Sequence, residues 1–196
     1  MLTFAIGSIQ GNSAQLADLL EQCYDFAGGQ AARYVFLGNF IHRGSGSRAM
    51  VEIIINLQET TANRVIALAG ENEDLLRHWQ IADNRPRWLI RGGSATLRSY
   101  GTTSPNDLLA KHLMWLQRLP DIFSDQHRLY VTEERQIGSE QGRLMVIGRH
   151  PRTEAGQSAN DPRRIYLGAA SGKPPRAAAF ASDPPIPLAF FTAQSS

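Results

Sequence analysis

The stretch that decides the fold runs from residue 33 to residue 57 and reads "RYVFLGNFIHRGSGSRAMVEIIINL". Its first part is an apolar run that ends at a glycine, which is typical of a strand buried on both faces. Its last part repeats apolar residues at the period of a helix, at Met50, Ile53, Ile54 and Leu57. A strand, a polar glycine-rich loop and a helix in this order predict one unit of an α/β sheet, and such a loop commonly carries a site.

Two similar units lie on either side of this stretch. The apolar runs "LTFAIG" (2–7) and "RVIALAG" (64–70) also end at glycines and lead through polar loops into helical patterns. This order predicts three parallel strands whose loops meet at one edge of the sheet. Further along, "HRLYVTEERQ", "GRLMVIGRH" and "RRIYLGAA" are short strand-like runs separated by turn signals, which indicate a second sheet.

The chain divides by composition near residue 172. Residues 1–172 hold the elements described so far and are interpreted as one domain, which is a normal size for a chain of 196 residues. Residues 173–196 contain five of the ten prolines and are interpreted as a Pro/Ala-rich C-terminal tail. The run "PLAFFTA" (187–193) predicts an edge strand within this tail.

Charge and cysteine content exclude several classes of protein. The net charge is +2 and the basic residues form no long block, so no nucleic-acid partner is expected. Cys23 is the only cysteine, which excludes an intramolecular disulfide and a cysteine-based zinc site. No apolar run reaches the length of a membrane span and the start of the chain lacks a signal pattern, so we expect a cytoplasmic protein without membrane contact.

The loops after the first three strands carry a recognisable order of motifs. They read "GSIQGN" (7–12), "GNFIHRG" (38–44) and "GENEDLL" (70–76), and the segment "WLIRGGSATLRSYG" (88–101) follows them. This series resembles the calcineurin-like metallophosphoesterase superfamily, specifically bacterial serine/threonine protein phosphatases and diadenosine tetraphosphatases. Those enzymes carry G-D-x-H-G, G-D-x-x-D-R-G and G-N-H-E after three successive strands. The resemblance implies a two-sheet β-sandwich flanked by helices in αββα layers, with the site at the strand ends.

The resemblance also implies a centre of two divalent metals (manganese, iron or zinc), but the ligand positions have changed. In the family, the three motifs supply acidic, histidine and asparagine side chains to the metals and to the general acid. The corresponding residues in this sequence are Ser8, Gln10, Asn39, His42, Glu71 and Asn72. The late H-G-H-T-P motif of the family reads "IGRHP" here and includes Arg149 and His150.

These replacements do not meet the electrostatic demand of two metal ions. Asn39 stands where the family has a bridging aspartate, and a neutral amide cannot supply that negative charge. The nucleophile implied for the family is a metal-bound hydroxide. We therefore expect no bound cofactor and no confident catalytic residue. Ser8 as a nucleophile is disfavoured, because no histidine–carboxylate pair accompanies it.

Two other uses of the pocket remain open. A weaker hypothesis is an atypical metal site whose ligands are His42, Glu71 and His150. Arg43 is retained, and the resemblance implies that it contacts a substrate phosphate. Arg43 and Arg149 are therefore candidates for binding a phosphate or another anion.

Three hypotheses for function follow. The first is a binding or regulatory pseudophosphatase that recognises a phosphorylated protein or another protein partner. The second is an active phosphoesterase with an atypical metal site, acting on a phosphoprotein or a dinucleoside polyphosphate. The third is a structural scaffold subunit.

Overall fold

The computed structural model describes residues 1–81, 84–134, 143–149, 156–157, 161–168, 174–182 and 186–194. In this part of the chain the strands are β1 (Leu2–Ile6), β2 (Ala32–Phe36), β3 (Arg64–Ala67), β4 (Ile122–Ser124), β5 (Arg128–Glu133), β6 (Leu144–Arg149), β7 (Gly156–Gln157), β8 (Arg164–Tyr166), β9 (Arg176–Phe180) and β10 (Pro187–Thr192). The helices are α1 (Ser13–Ala27), α2 (Ser47–Thr60), α3 (Glu71–Arg77), α4 (Asn84–Trp88), α5 (Ser94–Tyr100) and α6 (Ala110–Arg118). A π-helical turn (Leu89–Gly93) joins α4 to α5, and a 3-10 turn (Pro105–Asp107) precedes α6.

The strands form two sheets. The first has the order β10-β9-β1-β2-β3, and the second has the order β4-β5-β6-β8-β7. β1, β2 and β3 are parallel, as the sequence predicts, with Phe4 opposite Tyr34 and Tyr34 opposite Val65. β5, β6 and β8 are parallel in the second sheet. The predicted fold class, a two-sheet α/β sandwich flanked by helices, is confirmed.

Side-chain alternation along β2 shows where the core lies. Tyr34 and Phe36 pack into the apolar cluster shared with the helices. Val35 and Leu37 pack on the opposite face, in a cluster to which both sheets contribute. Because successive side chains of a strand point to opposite faces, the first sheet is buried on both sides. Cys23 of α1 lies fully buried in the helix-side cluster, and this burial raises the pKa of its thiol to about 12.

The C-terminal segment completes the first sheet. The sequence predicts a single edge strand here, at residues 187–193, and β10 (Pro187–Thr192) lies at the edge of the first sheet. A second strand, β9, was not predicted and lies between β1 and β10, antiparallel to both. The described part of the chain contains no helix long and apolar enough to cross a bilayer.

A matched pair of phenylalanines tests how far this segment contributes to the core. Phe180 of β9 is fully buried between the sheets, whereas Phe190 of β10 is 42% exposed. We expect Phe180→Ala to lower the free energy of unfolding by about 3–5 kcal/mol, because it leaves a cavity in a packed layer. Phe190→Ala should cost about 1 kcal/mol or less. Urea denaturation of the two variants measures both values, and equal losses would contradict the placement of β9 in the core.

Candidate functional site

The loops after β1, β2 and β3 meet at one edge of the first sheet and bond to each other through their backbones. The N–H of Gln10 donates to the carbonyl of Asn39 at 2.9 Å, and the N–H of Gly44 donates to the carbonyl of Gln10 at 2.9 Å. A Cβ atom at Gly44 would lie 2.3 Å from the carbonyl oxygen of Gly11. The retained glycine at 44 is therefore required by the close approach of two loops.

The second sheet contributes to the same edge. The N–H of Ser8 donates to the carbonyl of Gly148 at 3.2 Å, and the Thr132 hydroxyl donates to the carbonyl of Ala69 at 2.7 Å. Ser8 and Ala69 follow strands of the first sheet, while Thr132 and Gly148 belong to strands of the second. The carboxyl ends of both sheets thus enclose one region, which is where open α/β sheets bind ligands.

Glu73 holds the central loops together. Its Oε1 accepts the N–H groups of Phe40 and Ile41 at 2.8 and 3.3 Å. Its Oε2 accepts the N–H groups of Asn39 and Gly70, both at 2.8 Å. Burial raises the pKa of Glu73, and the four N–H donors oppose that rise. All four hydrogen-bond partners of Glu73 are donors, so the geometry favours the ionised carboxylate over the protonated acid.

Four residues other than glycine have a left-handed backbone here. They are Gln10 (φ 55°), Asn39 (φ 56°), His42 (φ 79°) and Arg43 (φ 56°). Such conformations cost energy for residues with a Cβ, and they concentrate at functional sites where the surroundings hold them in place. The loops therefore have the strained backbone geometry that is common at functional sites.

Both polar atoms of the Asn39 side-chain amide form hydrogen bonds. Its Nδ2 donates to the hydroxyl of Ser8 at 3.3 Å, and its Oδ1 accepts the N–H of Asn72 at 3.2 Å. The Asn72 side chain in turn donates to the carbonyl of Ile41 at 2.9 Å, and the Ser8 hydroxyl donates to the carbonyl of Leu37 at 3.4 Å. The structure thus brings three predicted site residues together in a neutral hydrogen-bonded network.

His42 is fully buried, and its ring lies 5.5 Å from the ring of Trp88 in an edge-on arrangement. Neither ring nitrogen has a hydrogen-bond partner among the described residues. Burial lowers the pKa of His42 to about 4, and the charges of Arg43 and Arg91 act in the same direction. The neighbouring Asn72 amide opposes this shift without reaching hydrogen-bond geometry. His42 is therefore neutral at physiological pH.

The charged residues at the rim are arranged in ion pairs. The carboxylate of Glu71 contacts the guanidinium of Arg91. Arg149 Nη1 lies 3.6 Å from Glu133 Oε1. Arg43 is exposed at the surface of the same edge. His150, the remaining residue of the atypical metal hypothesis, lies outside the described residues.

A two-metal centre, which the fold resemblance implies, does not fit these residues. At the position of the bridging ligand, both polar atoms of the Asn39 amide already have hydrogen-bond partners. The charges that face His42 are those of arginines, which repel a cation. Within the described ranges, no three His, Cys, Asp or Glu side chains are close enough to hold a metal ion.

Sequence reasoning did not identify Glu73 as part of the site. Glu73 also stabilises the start of α3, because it accepts the N–H of Gly70. A signal was present, because Glu73 stands at the final position of the family's G-N-H-E motif. Thr96, which accepts the N–H of His42 at 2.9 Å, was also missed. Its position in the sequence gives no sign that α5 contacts this loop.

Comparisons with known proteins agree with the fold. No protein-family model and no curated protein matches the sequence. Among solved structures, the chain is similar to a metallophosphoesterase from Sphaerobacter thermophilus, with a TM-score of 0.63, 16% identity and coverage of 100% of this chain and 90% of that one. It is also similar to a protein serine/threonine phosphatase from Saccharomyces cerevisiae, with a TM-score of 0.68, 14% identity and coverage of 100% and 80%.

A third similar structure is a putative diadenosine tetraphosphatase, with a TM-score of 0.63, 12% identity and coverage of 100% of this chain and 95% of that one. These likenesses span the whole sandwich and the edge at which its loops meet. The chain therefore has the metallophosphoesterase fold, which is also the fold of known phosphatases.

Replacing Glu73 tests its role in the loops. In Glu73→Gln, one oxygen becomes an NH2 group and faces two N–H donors. We expect the free energy of unfolding to fall by about 3 kcal/mol or more, because two buried donors lose their acceptor. Glu71→Gln is the adjacent control and should change stability by about 1 kcal/mol or less, since its ion pair is partly exposed. Similar losses in both variants, measured by urea denaturation, would show that Glu73 does not have this role.

The low pKa of His42 predicts a dependence of stability on pH. Its folded pKa is about 4, below the ordinary 6.5 of the unfolded chain. Above pH 6.5 both states are neutral, and between pH 6.5 and 4 only the unfolded state takes up the proton. As the pH is lowered through that window, the free energy of unfolding should therefore fall by about 1.4 kcal/mol for each pH unit.

The control for this measurement is His42→Asn, since asparagine tolerates the left-handed backbone and does not titrate. Urea denaturation at pH 7, 6 and 5 should show a smaller loss of stability in the variant than in the parent protein. Parallel pH profiles for the two proteins would contradict a neutral buried His42.

Proposed function

We propose that this protein is a pseudophosphatase, a metallophosphoesterase scaffold that does not hydrolyse phosphoesters and acts as a binding or regulatory module. The observation that carries the proposal is the state of Asn39. This residue occupies the position of a bridging aspartate, it is neutral, and both polar atoms of its side chain bond to neighbouring residues. A pair of divalent cations held close together needs a bridging anion, and Asn39 cannot provide one.

Among the described residues around Asn39, no side chain supplies another activated nucleophile. Ser8 is the one hydroxyl in the network around Asn39, and its proton is directed to the carbonyl of Leu37 rather than to a base. An activated serine needs a general base within hydrogen-bond reach. His42 does not serve as that base, since its ring nitrogens have no hydrogen-bond partner in the described part of the chain.

The retained features support a binding role. Glu73 keeps the loops in a strained arrangement, and this arrangement is costly to maintain in a protein without a use for it. Arg43 projects at the rim with its side chain exposed. A guanidinium beside glycine-rich turns suits a phosphate group, so a phosphorylated protein is the partner that this rim favours.

The proposal predicts the absence of both metal and activity. Protein purified without chelator should contain less than one tenth of an equivalent of manganese, iron or zinc by elemental analysis. It should hydrolyse a generic phosphomonoester no faster than the blank when manganese is added. A stoichiometric metal together with turnover would overturn the proposal and support the atypical active phosphoesterase.

Restoring the family ligands gives a positive control for these measurements. The variant would combine Ser8→Asp, Gln10→His, Asn39→Asp, His42→Asp and Asn72→His. We expect it to bind manganese at least tenfold more tightly than the parent protein, because three carboxylates return to one edge. A matched variant that keeps Asn39 but carries the other four changes should regain less affinity. If the five-residue variant folds and binds no more manganese than the parent, the loss of charge is not the reason for inactivity.

A further inference from the structure

A second polar region lies at the opposite end of the two sheets, where β2 and β5 begin. It is a cavity of about 280 Å³ lined in part by Arg33 and Arg128. Arg33 is opposite Thr3 at the start of the parallel strands, so the cavity is separated from the candidate site by roughly the length of a strand of the first sheet. It is therefore distinct from the region around Asn39.

Both arginines stand at positions that normally hold apolar side chains. Along β2, Arg33 shares a face with Val35 and Leu37, which pack between the sheets. Along β5, Arg128 shares a face with Tyr130, which packs in the same layer. Alternation thus directs two guanidinium groups into the space between the sheets. The Arg33 side chain is 16% exposed and the Arg128 side chain only 2% exposed.

In the part of the chain that the structure describes, one carboxylate faces these two cations. Asp125 Oδ2 lies 3.7 Å from Arg33 Nη1 and 3.8 Å from Arg128 Nε, which are ion-pair distances longer than hydrogen bonds. Its hydrogen bonds go elsewhere: Oδ1 accepts the N–H groups of His127 and Arg128, and Oδ2 accepts the Tyr130 hydroxyl. The Nε atoms of Arg33 and Arg128 have no hydrogen-bond partner in the part of the chain that the structure describes.

The other contacts of the two guanidinium groups are with uncharged partners. Arg128 Nη2 donates to the carbonyls of Ala181 and Ser182, and its Nη1 lies 3.4 Å from the Tyr130 hydroxyl. Arg128 also lies over the Phe180 ring and Arg33 over the Phe123 ring. These contacts hold the two cations in place without neutralising them, so the described residues around the cavity carry an excess of positive charge.

We propose that this cavity binds a phosphate group, either as inorganic phosphate or as the phosphate of a small monoester. Two guanidinium groups that share one carboxylate attract a dianion, and arginine is the side chain best suited to hold tetrahedral oxyanions. Thr3, Gln126 and Ser182 provide the neutral polar part of the wall. Since the cavity touches both sheets, its occupancy stabilises the sandwich by linkage.

The test measures binding of inorganic phosphate and of glycerol 3-phosphate by isothermal titration calorimetry, with chloride at equal ionic strength as the reference. Arg33→Gln should weaken the binding at least tenfold. Arg64→Gln is the matched control, because Arg64 is the exposed register partner of Arg33 on the next strand. This control should leave the affinity within twofold. Arg43→Gln, at the rim of the other site, is measured alongside it to separate phosphate bound at that rim from phosphate bound in the cavity.

A second variant keeps the proposal testable if Arg33→Gln does not fold. Asp125→Asn retains an oxygen for the two backbone N–H groups and removes the competing negative charge. It should bind phosphate at least threefold more tightly, whereas a merely structural defect would not increase affinity. Tighter binding of inorganic phosphate or of the monoester identifies the source of the phosphate group, and either result supports the site.

Three outcomes would overturn the proposal. Phosphate and the monoester could bind no better than chloride. Asp125→Asn could leave the affinity unchanged or lower it. The affinity could also fall with Arg43→Gln and not with Arg33→Gln, which would place the phosphate at the rim of the other site. None of these results bears on whether the protein hydrolyses phosphoesters, so the proposed function is tested separately.

Discussion

The hydrogen bonds of one buried carboxylate determine how the loops of this protein are placed. Glu73 accepts the N–H groups of Asn39, Phe40, Ile41 and Gly70, and it thereby fixes the loop after β2 against the start of α3. Those four donors would otherwise be buried without partners, at a cost of about 1–3 kcal/mol each. The left-handed backbone at Asn39 and His42 persists because this acceptor holds the N–H groups of residues 39–41, the part of the loop that joins the two.

The candidate site has the backbone geometry of an active site, but its central side chains form a neutral network. The edge where the strands end keeps its close loop contacts, its glycines and its strained backbone, which are the features that position an active site. Its electrostatics are different, since Asn39 and Ser8 form a neutral network and the Glu71 carboxylate pairs with Arg91. At the opposite end of the sheets, Arg33 and Arg128 share Asp125 and leave an excess of positive charge. The region that this fold resemblance associates with cations is thus neutral, and a region without such an association attracts anions.

Sequence patterns predicted most of the helices and strands, but they did not predict which distant strands and side chains contact one another. The three parallel strands, the helices after them and the edge strand at β10 follow from apolar periodicity, which is local information. β9 was missed because "RAAAF" has little strand propensity, and its place beside β1 depends on the small alanines that fit between two layers. Arg33 and Arg128 lie near the starts of β2 and β5. That they share one carboxylate follows only from the packing of one sheet on the other.

The sequence by itself determined the parallel strands and the edge at which their loops meet, because these depend on residue types and on their spacing along the chain. The resemblance of its loop motifs implied the two-sheet sandwich and a loss of charge at the ligand positions. The tertiary structure decided what replaces that charge. Asn39 forms hydrogen bonds with Ser8 and Asn72. His42 is buried beside Trp88, this burial lowers its pKa, and Glu73 accepts N–H groups from a loop more than thirty residues away. Contacts of this kind join distant segments, so they depend on how the sheets and loops pack and cannot be read from any one stretch of the chain.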